Sequence, residues 1–93
     1  MAGNNRTLIE SAEYEHQVKR LGGARKLDAA LEALTWGISG DAEDFPVIPN
    51  SNNIRAAKTN PVPWLGLPTI IIYFRIVDKD SVDLLWIEAV QDE

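Results

Sequence analysis

Apolar residues fall along this chain first in two helical rhythms and then in a strand-like one. Tyr14, Val18 and Leu21 are spaced four and three residues apart, one face of a helix over residues 12–21. Ser11 stands where an N-cap belongs, and Glu13 lies in the first turn, where a carboxylate is favoured. Glu15 and Lys19 form an i,i+4 pair, Lys19 and Arg20 fill the last turn, and Gly22-Gly23 ends the segment. A second stripe of Leu27, Ala30, Leu31, Leu34 and Ile38 predicts a helix over 24–37, stopped by Gly37 and Gly40. The two form a helical hairpin.

Strand signals flank this pair. Leu8 and Ile9 make a short edge strand ahead of it, and IRAAKT, residues 54–59, makes a weak strand. TIIIYFRIV, residues 69–77, is almost continuously apolar, as expected of a central strand buried on both faces. DKDS turns it back into VDLLWIEAV as its hairpin partner. Residues 41–53 and the proline-rich stretch 60–68 read as loops, with a turn at Asn50-Ser51-Asn52-Asn53. Residues 1–6 and 91–93 read as frayed ends of a single domain spanning 1–93. The order β-α-α-β-β-β predicts an α+β fold, with both helices on one face of an antiparallel sheet.

Composition narrows the chemistry. With 93 residues, 45% of them apolar, the chain can bury a thin core. It has no cysteine, which removes disulfides and thiolate metal sites and suits a reducing compartment. The longest plain apolar run, Ile70–Phe74, is far short of a membrane helix, and the first residues lack the apolar core of a secretion signal. A net charge of −5 opposes strong independent binding of nucleic acid, whose affinity rests on Lys and Arg neutralising phosphates.

Against that background Arg55 and Lys58 stand out as cations just after a turn. Residues three apart on a regular strand point to opposite faces, so a shared phosphate site needs a bulge or a strand end between them. His16, the one histidine, sits at an ordinary polar position of the first helix and reads as solvent-exposed. Trp36 and Trp86 read as core, and the Tyr73 ring as core-filling, whereas Trp64 in the proline-rich loop is a candidate partner anchor. Asp41, Glu43 and Asp44 lack the spacing of a calcium loop.

The element order, with RTLIESAEYEHQVKRL, PVIPNSNNIRAAK and IIIYFRIVDKDSVDLLWIEAV, resembles the RelE/ParE superfamily of bacterial toxin–antitoxin toxins, in particular its HigB-like branch. The resemblance covers about residues 6 to 90, and order and spacing carry it rather than any one motif. It implies the toxin component of a type II pair, an mRNA endonuclease acting at the ribosome, which inhibits translation in the bacterial cytoplasm and needs no cofactor or metal. It further implies a cognate antitoxin as partner, ribosome and mRNA as targets, no membrane, and a heterotetramer or homodimer as the assembly. Residue by residue, Arg55 and Lys58 match the family's basic pair and Tyr73 its strand aromatic, which makes these three the implied catalytic residues. Arg55 is the one expected to matter most.

Two family features have no counterpart. Ile70 falls where a loop arginine belongs, and the chain ends on Gln91, Asp92 and Glu93 where many members carry a basic or catalytic residue. A catalytically weak protein-binding module and a ParE-like topoisomerase inhibitor are therefore the alternatives.

Overall fold

The computed structural model describes residues 5–21, 25–59 and 69–90, with the backbone alone for 25–28. In chain order these form β1 (Thr7–Glu10), α1 (Ala12–Leu21), α2 (Arg25–Asp41), a 3-10 turn (Ala42–Asp44), β2 (Ile54–Lys58), β3 (Thr69–Asp78) and β4 (Ser81–Val90). The strands make one sheet in the order β1-β4-β3-β2.

α1 has the bounds its sequence predicts. Ser11 Oγ accepts the Tyr14 N–H at 3.1 Å, the expected N-cap bond. α2, in contrast, runs through Gly37 and Gly40 to Asp41. An interior glycine costs a helix about 1 kcal/mol, too little to end one whose Leu34 and Ile38 are buried in the core. The last turn is instead fixed from outside. The Arg6 N–H donates to the Ser39 carbonyl, and Ser39 Oγ donates to the Arg6 carbonyl, both at 2.9 Å.

That contact also explains why the sheet is mixed rather than antiparallel. β1 pairs parallel to β4, while β2–β3 and β3–β4 are antiparallel. The helical pair leaves from the end of β1 and returns beside its beginning, so β2 sets out in the same direction as β1. Two reversals later β4 runs that way too. A parallel pair needs such a crossover, and the helices supply it.

The core lies between the helices and one sheet face. Tyr14, Leu34 and Ile38 meet Ala57 of β2, Ile70, Ile72 and Phe74 of β3, and Val82, Leu84 and Ile87 of β4. No polar or charged side chain is buried there among the described residues. Val82 and Leu84 occupy even positions but Ile87 an odd one, because the β3–β4 register slips between Tyr73 and Phe74 and leaves Leu85 as an extra residue. Ser11 closes this bulge: its N–H donates to the Leu84 carbonyl at 3.0 Å and its hydroxyl to the Leu85 carbonyl at 3.1 Å.

The bulge overturns one sequence expectation. It turns Trp86 to the uncovered face, 38% exposed, instead of into the core. Trp36 is also no core residue, being 74% exposed. It stands two residues from both Leu34 and Ile38, more than half a helical turn away from the buried stripe.

Candidate functional site

Among the described residues no helix lies over the second sheet face. In register, Ile54, Ala56 and Lys58 of β2 stand opposite Arg75, Tyr73 and Ile71 of β3. The next strand adds Asp83 opposite Arg75, Trp86 opposite Tyr73 and Glu88 opposite Ile71. This face mixes two cations, two carboxylates and two aromatic rings. β3 is therefore doubly buried only at Ile70–Ile72; beyond that it alternates, and Tyr73 is half-buried on the open face rather than core-filling.

Tyr73 donates its hydroxyl proton to Glu88 Oε2 at 2.8 Å. That bond, with some desolvation and the Glu88 charge, raises the phenol above its ordinary value. Tyr73 is thus poorer than a free tyrosine at giving up a proton near neutral pH.

Beside Tyr73 lies a groove of about 330 Å³, lined by Pro46, Val47, Ile48, Pro49, Ala56, Lys58, Ile71 and Tyr73. Its outer wall is an arm, residues 46–49, that folds back along β2. The Ile48 N–H donates to the Ile54 carbonyl at 2.8 Å, the Ala56 N–H to the Pro46 carbonyl at 3.2 Å, and Val47 bridges to Arg55. The turn joining arm and strand needs left-handed backbone at Asn50 (φ 64) and Asn53 (φ 60), a region that asparagine tolerates better than most residues. Ser51 braces it, giving its hydroxyl to the Ile48 carbonyl at 2.6 Å and accepting the Ile54 N–H at 3.1 Å.

Arg55 belongs to this scaffold. It stands opposite Phe74, on the helix-covered side of the sheet. Its Nη1 donates to the Phe45 carbonyl at 2.7 Å and to the Glu43 carbonyl at 3.2 Å. The Phe45 ring packs edge-on against Phe74, with centroids 5.7 Å apart. β2 keeps a regular register with β3, so Arg55 and Lys58 face opposite ways. Of the three residues the resemblance implied, the fold brings Lys58 and Tyr73 to one face and sets Arg55 apart.

Arg75 is the residue that sequence reading passed over. It follows Tyr73 by two positions and so shares its face, about 7 Å further along the strand. The period-two signal was present in YFR, but the surrounding isoleucines masked it.

His16 is exposed on α1, as expected, and with Ala12, Glu13 and Gln17 it borders a shallow depression beside Trp86. Glu43 pairs with Arg6 at 3.2 Å, and Asp41 closes α2. Among the described residues no three His, Cys, Asp or Glu side chains are placed to hold a metal ion, and no helix is long and apolar enough to cross a membrane. Trp64 and the proline-rich loop lie outside the described residues.

No protein-family model matches the chain, and no curated protein matches it either.

Proposed function

We propose that this chain is the toxin component of a type II toxin–antitoxin pair, a divergent domain of RelE/ParE type. In this reading its open sheet face works by contact with protein, while RNA cleavage is weak or absent. The lineage is supported by the order β-α-α-β-β-β and by the residues that match the HigB-like branch. Its partner is then a cognate antitoxin, and its place of action the bacterial cytoplasm.

The observation that carries the binding half is the separation of Arg55 from Lys58. Cleaving RNA through the ribose 2′-oxygen requires activation of that oxygen, stabilisation of the charge on the phosphorane, and protonation of the leaving oxygen. Arg55 donates to two backbone carbonyls on the far side of the sheet and cannot share a phosphate with Lys58. Tyr73 is engaged by Glu88. Of the two carboxylates on the open face, Asp83 stands opposite Arg75 and Glu88 holds the Tyr73 hydroxyl.

A second reading, RNA cleavage, is favoured by one observation: Lys58, Tyr73 and Arg75 share the open face. Controlled expression of the chain alone, following growth, transcript integrity and DNA damage, tests both. The expected result is slowed growth with intact mRNA. Transcripts cut during translation would overturn the binding reading in favour of cleavage, DNA breaks would point to topoisomerase inhibition, and unaffected growth would remove the toxin assignment.

A further inference from the structure

We infer that the groove between the 46–49 arm and Tyr73 seats an aliphatic side chain of an extended partner segment, with Lys58 holding a carboxylate on the adjoining residue; this rests on the reading that the open face contacts protein.

The groove exists because Ala56 stands opposite Tyr73, so a methyl group fills a place between the tyrosine ring and the arm that a longer side chain would occupy. Ile71 continues the apolar floor, and Pro46, Val47, Ile48 and Pro49 form the wall. At about 330 Å³ the space is at the small end of ligand pockets, the size of one or two side chains rather than a cofactor.

Its walls are held before any partner arrives. The arm is bonded to β2 at Ile48 and Ala56, and Arg55 ties down its root at Phe45. A site fixed in this way loses little ordering entropy on binding.

Charge selects the occupant. Lys58 is exposed at the groove's rim and has no ion-pair partner among the described residues. The carboxylate nearest in register on that face, Glu88, is taken up by the Tyr73 hydroxyl. An apolar slot with a single unmatched cation suits a leucine- or isoleucine-sized group next to an acidic one. A polyanion is less well served, because Asp83 and Glu88 share the face and the chain carries −5 overall.

The test uses the full ¹⁵N-labelled chain and blocked dipeptides as probes. N-acetyl-Leu-Glu-amide should shift the amide signals of Ala56, Lys58, Ile71 and Tyr73 at millimolar concentration. N-acetyl-Leu-Gln-amide should bind about threefold more weakly, the scale of one exposed charge pair. N-acetyl-Gly-Glu-amide should leave the groove signals unmoved. Lys58→Met should bind the Glu and Gln peptides alike while its spectrum remains that of a folded chain. Equal binding of the Glu and Gln peptides to the unaltered chain, or no groove shifts with any peptide, overturns the inference. Hexa-adenylate in place of the peptides separates it from the functional reading. If the RNA shifts the signals of Lys58, Tyr73 and Arg75 and the leucyl peptide does not, the open face serves RNA and both fail. If neither probe binds, the groove inference alone fails, and the expression experiment still decides the function.

Discussion

The two faces of this sheet are built from the same strands and obey opposite rules. On the covered face, Ile70, Ile72, Phe74, Val82, Leu84 and Ile87 are sealed under the helices with no buried polar side chain among the described residues. On the open face, Lys58, Tyr73, Arg75, Asp83, Trp86 and Glu88 keep water, charge and ring surface in play. Cationic residues three apart illustrate the difference. Arg55, on the covered side, gives its donors to the chain's own carbonyls, whereas Lys58, on the open side, has no ion pair among the described residues. A basic residue near a suspected site is therefore not enough to assign it. The face it occupies decides what it can reach.

The bulge at Leu85 sets which residues of β4 face the core, so a carboxylate placed on the covered side of that strand should have the largest effect. Ile87→Glu would put one among fully buried apolar side chains, whereas Trp86→Glu, one residue away, would leave it on the open face. Burying an unpaired carboxylate costs several kcal/mol, a large share of the roughly 5–15 kcal/mol that stabilises a small domain. Ile87→Glu should abolish cooperative thermal unfolding followed by circular dichroism while Trp86→Glu keeps it; a sharp transition near the parent's for both would show that Ile87 does not face the core.

Next comes a pH effect on the covered side. Burial, with a smaller contribution from Glu10, pushes the Tyr14 phenol up to about 12 from its ordinary 10.0. The folded state thus holds that proton more tightly than the unfolded chain. Its contribution is intact below pH 10 and is lost as pH rises through 12, amounting to about 2 kcal/mol at the alkaline end. Urea midpoints measured between pH 9 and 12 should fall more steeply for the parent than for Tyr14→Phe. Parallel curves would mean the ring is not shielded as described.

The smallest contrast is between the two cations themselves. Arg55→Ala removes hydrogen bonds from a charged donor to two carbonyls and should cost about 1.5–3 kcal/mol. Lys58→Ala, on an exposed side chain, should stay within about 0.5 kcal/mol. Denaturant titration of both variants checks the ranking, and equal losses would erase the distinction drawn here.

What the sequence announced was whatever local chemistry decides. α1 could be bounded because Ser11 caps it and paired glycines follow, and the final hairpin because DKDS interrupts two apolar runs. The opposite facing of Arg55 and Lys58 was also implicit in the period of a strand. Long-range packing hid the rest. The glycines of α2 read as stops because nothing local records that Ser39 is pinned to Arg6. The bulge looks like an ordinary Leu-Leu pair, since its cause, the Ser11 contact, lies more than seventy residues upstream. Trp36 and Trp86 were misplaced because size and apolarity argue for burial while their angular positions argue against it. The parallel pairing of β1 depended on where the helices return, which no local stretch encodes.

The arm beside β2 has a consequence for self-assembly. An exposed strand can recruit a further strand, from the same or another molecule, and so seed fibrous growth. Here Val47 and Ile48 already occupy the outer side of β2. The residues flanking them, Pro46 and Pro49, have no N–H to offer a newcomer. The arm thus terminates the sheet on that side without presenting a good template of its own, and growth by strand addition there is stopped after one short step.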